Sequence, residues 1–183
     1  MGSRNLIKED FRRQLAYKRA NKYKKNHLRN YGLFISLFFI DTGFRAVILH
    51  RICHSQCPNS KLRIYIAYFF YRLLTSIEIS PRAEIGTGLY FPHPQCVVIG
   101  NIKLGKNCTV YQGVTIGAKL PFHKEYPKIG NNAYIGAGST ILGGITIGNN
   151  VTIGAKTMVL KDIPSNSIVI GNPAKITEKT KKT

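Results

Sequence analysis

A histidine set between two prolines is the most chemically suggestive feature of this 183-residue chain, in Phe91-Pro92-His93-Pro94-Gln95-Cys96-Val97. Imidazole is the side-chain base suited to taking a proton near neutral pH, and attack by a hydroxyl on an acyl group needs such a base. Prolines on both sides restrict the backbone and hold the ring in one direction. The competing reading is an exposed histidine with no chemical task. Cys96 lies three positions on, but an acyl-cysteine intermediate is the weaker reading of that pair. His50, Cys53, His54 and Cys57 stand at i, i+3, i+4 and i+7, spread over about 10 Å of one helix. Four ligands so arranged cannot converge on a tetrahedral ion, so no metal is expected.

What must position His93 is a repeat. From Ile79 an aliphatic residue returns every six positions, often followed by Gly, as in Ile85-Gly, Leu104-Gly, Ile116-Gly, Ile129-Gly-Asn-Asn, Ile135-Gly, Ile147-Gly-Asn-Asn and Ile153-Gly. A helix cannot keep a period of six on one face, and a flat sheet of hairpins would alternate with period two. The pattern predicts a parallel β-helix of triangular coils, three hexads to a coil, with Gly and Asn at corners of positive φ. In this register the segment from Phe91 to Val97 holds seven residues where six are due, with Val98 opening the next unit. An extra corner residue throws a side chain outward. Counting by coils puts His93, Gln112, Ala137 and Ala155 in one corner column. Below the histidine, Gly136-Ala137 and Gly154-Ala155 leave backbone bare enough for a long, thin ligand.

The stretch from Ile79 to Ile176 resembles the hexapeptide-repeat acyltransferases, in the branch of serine acetyltransferases and short O-acetyltransferases of bacterial surface polysaccharides. The resemblance implies a left-handed parallel β-helix, with His93 as catalytic base. It also implies acetyl-CoA as donor cosubstrate, contacting Gly117, Ala118, Ala137 and Ala155. Glu78, fifteen residues before His93, stands where serine acetyltransferases carry an aspartate paired with the base. A carboxylate there would orient the imidazole and stabilise its charged form. Lys161 and Lys175 are candidates for the cofactor's phosphates, with solvated lysines as the equal alternative. Backbone N–H groups at Gly113 or Gly117 would meet the developing oxyanion.

The insertion 119–128 resembles the family's loop over the active site, and places His123 and Tyr126 as candidate acceptor-side residues. Two departures bear on the acceptor. Serine acetyltransferases have an aspartate at the position of Pro92 and Arg-His at Glu125-Tyr126. A zwitterion needs partners of both signs, so the expected acceptor is a sugar hydroxyl of a surface polysaccharide. Serine is the alternative, and a non-enzymatic scaffold a second one. A shallow corner cannot enclose a thioester alone, so a homotrimer with sites between subunits is expected, or two trimers paired as a hexamer.

Residues 1–75 follow other rules. They hold 15 basic and 3 acidic side chains, net +12, of a total +19, and only three of the 17 glycines. Two or three helices are expected, broken near Gly32, Gly43 and Cys57-Pro58, then the repeat domain over 76–176 and a basic tail over 177–183. The bland reading of the first part is a cap on the open end of the solenoid. The sharper one is peripheral contact with the inner face of an anionic membrane. The charge would suit nucleic acid, but no known module is present and none is expected as partner. Apolar residues at 44% exclude wholesale disorder. The longest early apolar run, 31–40, is half a membrane span. Four scattered cysteines and no leader pattern point to the cytoplasm.

Overall fold

The computed structural model describes residues 3–17, 27–55, 68–69 and 71–179; side chains are described except at 3, 4, 27–31 and 55. Three helices come first: α1 (Ser3–Tyr17), α2 (His27–Ile40) and α3 (Thr42–Ser55). A helical stretch over 71–75 leads into the first strand, Ile77–Ile79. From there the chain winds as a parallel β-helix with three sheets. One face stacks Ile77–Ile79, Val97–Ile99, Thr115–Gly117, Thr140–Leu142 and Met158–Val159. A second stacks Glu84–Ile85, Lys103–Leu104, Lys128–Ile129 and Thr146–Ile147. The third runs from Thr109–Val110 through Tyr134–Ile135 and Thr152–Ile153 to Ser167–Ile170. The chain then folds back, and Lys175–Glu178 pairs antiparallel on that last strand, two residues beyond Ile176.

The aliphatic residues of the repeat fill the prism's interior. Ile79, Ile85, Leu104, Val110, Ile116, Ile135, Ile147 and Ile153 are buried, as are the small fifth residues Ala83, Val114, Ala133 and Val151. Each coil alone has no core; stacking makes one continuous core. The corner between the second and third faces explains the Asn-Asn pairs. Asn107, Asn132, Asn150 and Asn166 all have positive φ, a conformation Asn tolerates better than most residues. Their side chains form a ladder, Asn132 Nδ2 donating to Asn150 Oδ1 and Asn150 Nδ2 to Asn166 Oδ1, each at 3.0 Å.

The helices dock through a buried ion pair. Arg51 of α3 donates to Asp10 of α1 at 2.9 Å and to the carbonyls of Ile85 and Gly86. Asp10 in turn accepts the Gly88 N–H. The helix breaks differ from expectation. Gly32 and Gly43 lie inside helices, and the break falls at Asp41. The Asp41 carboxylate accepts the Phe44 N–H at 2.7 Å, an N-cap that starts α3. Gly43 instead permits close packing: a Cβ there would sit 2.6 Å from the Phe91 carbonyl oxygen. Cys57-Pro58 lies outside the described residues, as does the end of the basic tail, 180–183.

Candidate functional site

His93 is exposed at the corner between the third and first faces. That corner is longer than the seven-residue unit expected. Tyr90 pairs with Thr109 and Val98 with Thr115, so eight steps of chain run beside six. Val98 is not the next inward residue; it is 41% exposed, while Val97 and Ile99 point inside. With two surplus residues, His93 is lifted clear of the column in which simple counting had placed it. In the ladder that column continues through Gln95. Gly113 N–H donates to the Gln95 carbonyl (2.9 Å), Gly138 N–H to Gln112 (2.8 Å) and Lys156 N–H to Ala137 (2.8 Å). Cys96 takes the positive φ (55°) that Gly113, Gly138 and Lys156 take in the coils below. The Gly113 N–H is therefore spent within the ladder and does not serve an oxyanion, contrary to expectation.

Tyrosines absent from the sequence reading line this corner. The Tyr111 ring lies 6.2 Å from the His93 ring and 5.2 Å from Tyr134. A hydrogen bond with Tyr111, with burial, pushes the Tyr134 hydroxyl up to about 12. Tyr90 stacks on Tyr17 of α1 at 4.2 Å. The same coil counting that grouped Gln112 with Ala137 puts Tyr90, Thr109 and Tyr134 in one outward column, so the signal was present in the repeat.

Glu78 sits on the first strand, paired with Val98, one coil above the strand that follows His93. Its carboxylate is 3.5 Å from the Arg72 guanidinium and hydrogen-bonds the Tyr68 hydroxyl. Burial, then the Glu78 charge, raise the Tyr68 hydroxyl above its ordinary value. The expected hydrogen bond from the His93 imidazole to the Glu78 carboxylate is not formed; the segment before the first strand supplies Glu78 with a cation and a donor instead. Cys96 is exposed and Cys108 is buried, its thiol raised by burial to about 11. His50 and Cys53 are buried within the cap, and His54 Nδ1 is 3.1 Å from the Pro81 carbonyl oxygen; Cys57 lies outside the described residues.

The remaining candidates divide between two corners. Gln112, Ala137 and Ala155 share the His93 corner, and Lys175 pairs with Ile170 at its lower end. Gly117 and Ala118 lie at the other end of the first face, where Gly117 pairs with Leu142 and the loop 119–128 leaves. Lys161 follows the strand Met158–Val159 at that same end, not at the foot of the His93 column. Strands of three residues put the two corners about 10 Å apart. One chain therefore does not gather all of these residues.

The returning end of the loop lies against the coils on either side of its own. Tyr126 packs against the core and next to Gly100, and Glu125 lies against Gly144. His123 is exposed, and Phe122 beside it is bare, at the loop's outer turn. The backbone expected to be bare below His93 is largely covered: Gly136 is buried, and a Cβ on Gly154 would meet Ile170 Cγ2 at 2.9 Å, so that column offers half-buried Ala137 and exposed Ala155 instead. At the other corner a Cβ at Gly117 would meet no atom within 4 Å, which leaves room there for a thin ligand.

Comparison with known proteins reveals the lineage of this arrangement. Residues 126–161 match the model of the bacterial transferase hexapeptide family, six repeats. A serine acetyltransferase of Helicobacter pylori is 38% identical over 139 residues, covering 73% of this chain and 80% of that protein. The chain belongs to the serine acetyltransferase family. A relative of the same name from Synechococcus elongatus is 40% identical over 138 residues, covering 73% of this chain and 56% of its own length. The chain thus spans little more than half of that relative. The crystal structure of Neisseria gonorrhoeae serine acetyltransferase superposes with a TM-score of 0.82 at 31% identity, covering 99% of this chain and 67% of the other. These relatives overturn the surface-polysaccharide acceptor inferred from Pro92, Glu125 and Tyr126. Two charged positions lost and one reversed in sign, at Glu125, weigh less than similarity extended over nearly three quarters of the chain.

Proposed function

We propose that the protein is a serine O-acetyltransferase that uses acetyl-CoA. The supporting observation is the 38% identity to a Helicobacter pylori serine acetyltransferase over 80% of that protein's length. Acetyl-CoA supplies an acetyl thioester. In this reading His93 takes the proton of the serine hydroxyl as it attacks, then returns it to the departing sulfur. Its exposure at a corner held by Pro92 and Pro94 leaves the imidazole open to both partners. Tyr111 supports the ring from one side. Glu78, held by Arg72 and Tyr68, would stabilise the imidazolium through the field of its charge.

Ala137 and Ala155 would line the donor's path on one chain, and Gly117, Ala118 and Lys161 on a neighbour. We therefore place the site between subunits of a homotrimer, with Lys175 beside the donor's phosphates. His123 and Tyr126 of the loop would approach the acceptor across that contact. With Pro92 and Glu125-Tyr126 present, the charged ends of serine would be held by groups other than the family's aspartate and Arg-His pair.

The test is release of free coenzyme A from acetyl-CoA, followed with a thiol reagent at increasing L-serine. Saturable, serine-dependent release with O-acetylserine as product is the expected result. Release that ignores serine would reject the proposal.

A further inference from the structure

We propose that the outer face of α2 is a membrane-docking surface that seats the protein on an anionic lipid bilayer. α2 presents Ile35, Phe39 and Ile40 outward, 49%, 69% and 76% exposed, with the small residues Gly32 and Ser36 between them. The inner face is already used: Leu37 is buried with Phe44 and Ile48, and Leu33, Phe34 and Phe38 pack against them. The outer residues are thus surplus to the core. Three large apolar side chains on one helical face are costly to leave in water.

The shape of α2 suits lying in an interface. No single helix among the described residues is long and apolar enough to cross a membrane, and α2 meets α3 at a bend of 104°. The apolar side of α3 is consumed by the solenoid, where Ala46, Val47 and Cys53 are buried. The stretch 32–40 is only about 13 Å long at helical rise, so it can lie in an interface but not traverse one.

Charge selects the occupant. The sequence 18–29, which runs into the first turn of α2, carries six Lys or Arg and no acidic residue. Arg45 adds a fixed cation at the other end, donating to the Phe39 carbonyl at 3.0 Å beside the exposed ring. A second copy of this chain would bring the same cations face to face. An anionic headgroup layer neutralises them while the acyl boundary takes Phe39 and Ile40. Apolar insertion plus basic charge is the pair of signals that makes reversible attachment stable.

The experiment uses the full chain and liposome flotation. Vesicles of phosphatidylglycerol and phosphatidylethanolamine are compared with vesicles of phosphatidylcholine alone. At least tenfold stronger partitioning to the anionic vesicles is expected, weakening as salt rises. The double variant F39S/I40S should lose tenfold or more of that partitioning while keeping its circular dichroism, its melting temperature and its acetyl-transfer rate in solution. Neither residue belongs to the proposed catalytic site, so this test stands whether or not serine is the acceptor. Equal binding to both vesicle types, or undiminished binding by the double variant, would overturn the proposal. So would a drop in assembly mass on making F39S/I40S, which would show the face to be an interface between copies.

Discussion

Acidification should unfold this protein partly through one buried side chain, His50. Its ring is 3% exposed on α3, and Nε2 has no hydrogen-bond partner. Burial lowers its pKa from 6.5 to about 3, with repulsion from Arg51 and His54 adding and hydrogen bonding with the Ala83 backbone opposing. The folded state therefore keeps His50 neutral, while the unfolded chain takes a proton as the pH falls through 6.5. Stability is fully present above 6.5 and drains away below it, by about 1.4 kcal/mol per pH unit once the unfolded imidazole is charged. Between pH 7 and pH 5 the loss from His50 alone works out at about 2 kcal/mol. Urea unfolding at both pH values, at fixed protein concentration, should show it by comparison with His50→Leu. Every other titrating group is common to the two proteins and cancels. The wild type should lose about 2 kcal/mol more than the variant over this interval. Parallel losses would mean that His50 is charged or solvated in the folded protein, and the packing of the cap against Ile79 and Pro81 would need revision.

His93→Ala should lower serine-dependent acetyl transfer by a hundredfold or more, the scale of a lost general base. Coenzyme A binding, measured by thermal shift, should survive, and retained turnover would remove His93 from the mechanism. Asp10→Ala leaves Arg51 buried and unpaired, and should cost about 3–5 kcal/mol in urea unfolding; a cost below 1 kcal/mol would mean the pair is hydrated. Gly136→Ala puts a Cβ 2.6 Å from the Ala155 backbone nitrogen. It should destabilise by about 1–3 kcal/mol, which a melting curve unchanged from wild type would contradict. Light scattering should give the mass of three chains or six, and an active monomer would refute a site shared between subunits.

The β-helix was legible because its signal is periodic and local. An inward aliphatic every six residues and Gly or Asn at the corners satisfy core and backbone together, so Ile129 to Val159 could be placed without coordinates. His93 was legible for the opposite reason, as a break in that period flanked by prolines. The acceptor was not. Pro92, Glu125 and Tyr126 report only which charges are missing, and the relatives outweigh that absence.

Sequence alone therefore determined the solenoid, the identity of its corner histidine and the foreign, basic character of residues 1–75. Only the tertiary structure decided that the corner holds two surplus residues, because which of Val97, Val98 and Ile99 faces inward depends on how one coil registers on the next. It likewise decided that Glu78 is held by Arg72 and Tyr68, that Arg51 closes on Asp10, and that Tyr111 stands beside His93. These are contacts between segments distant in sequence or carried past one another by a turn, and no local pattern encodes them. Gly43 makes the same point in miniature: read as a helix break, it is a helical residue whose missing Cβ lets α3 approach Phe91.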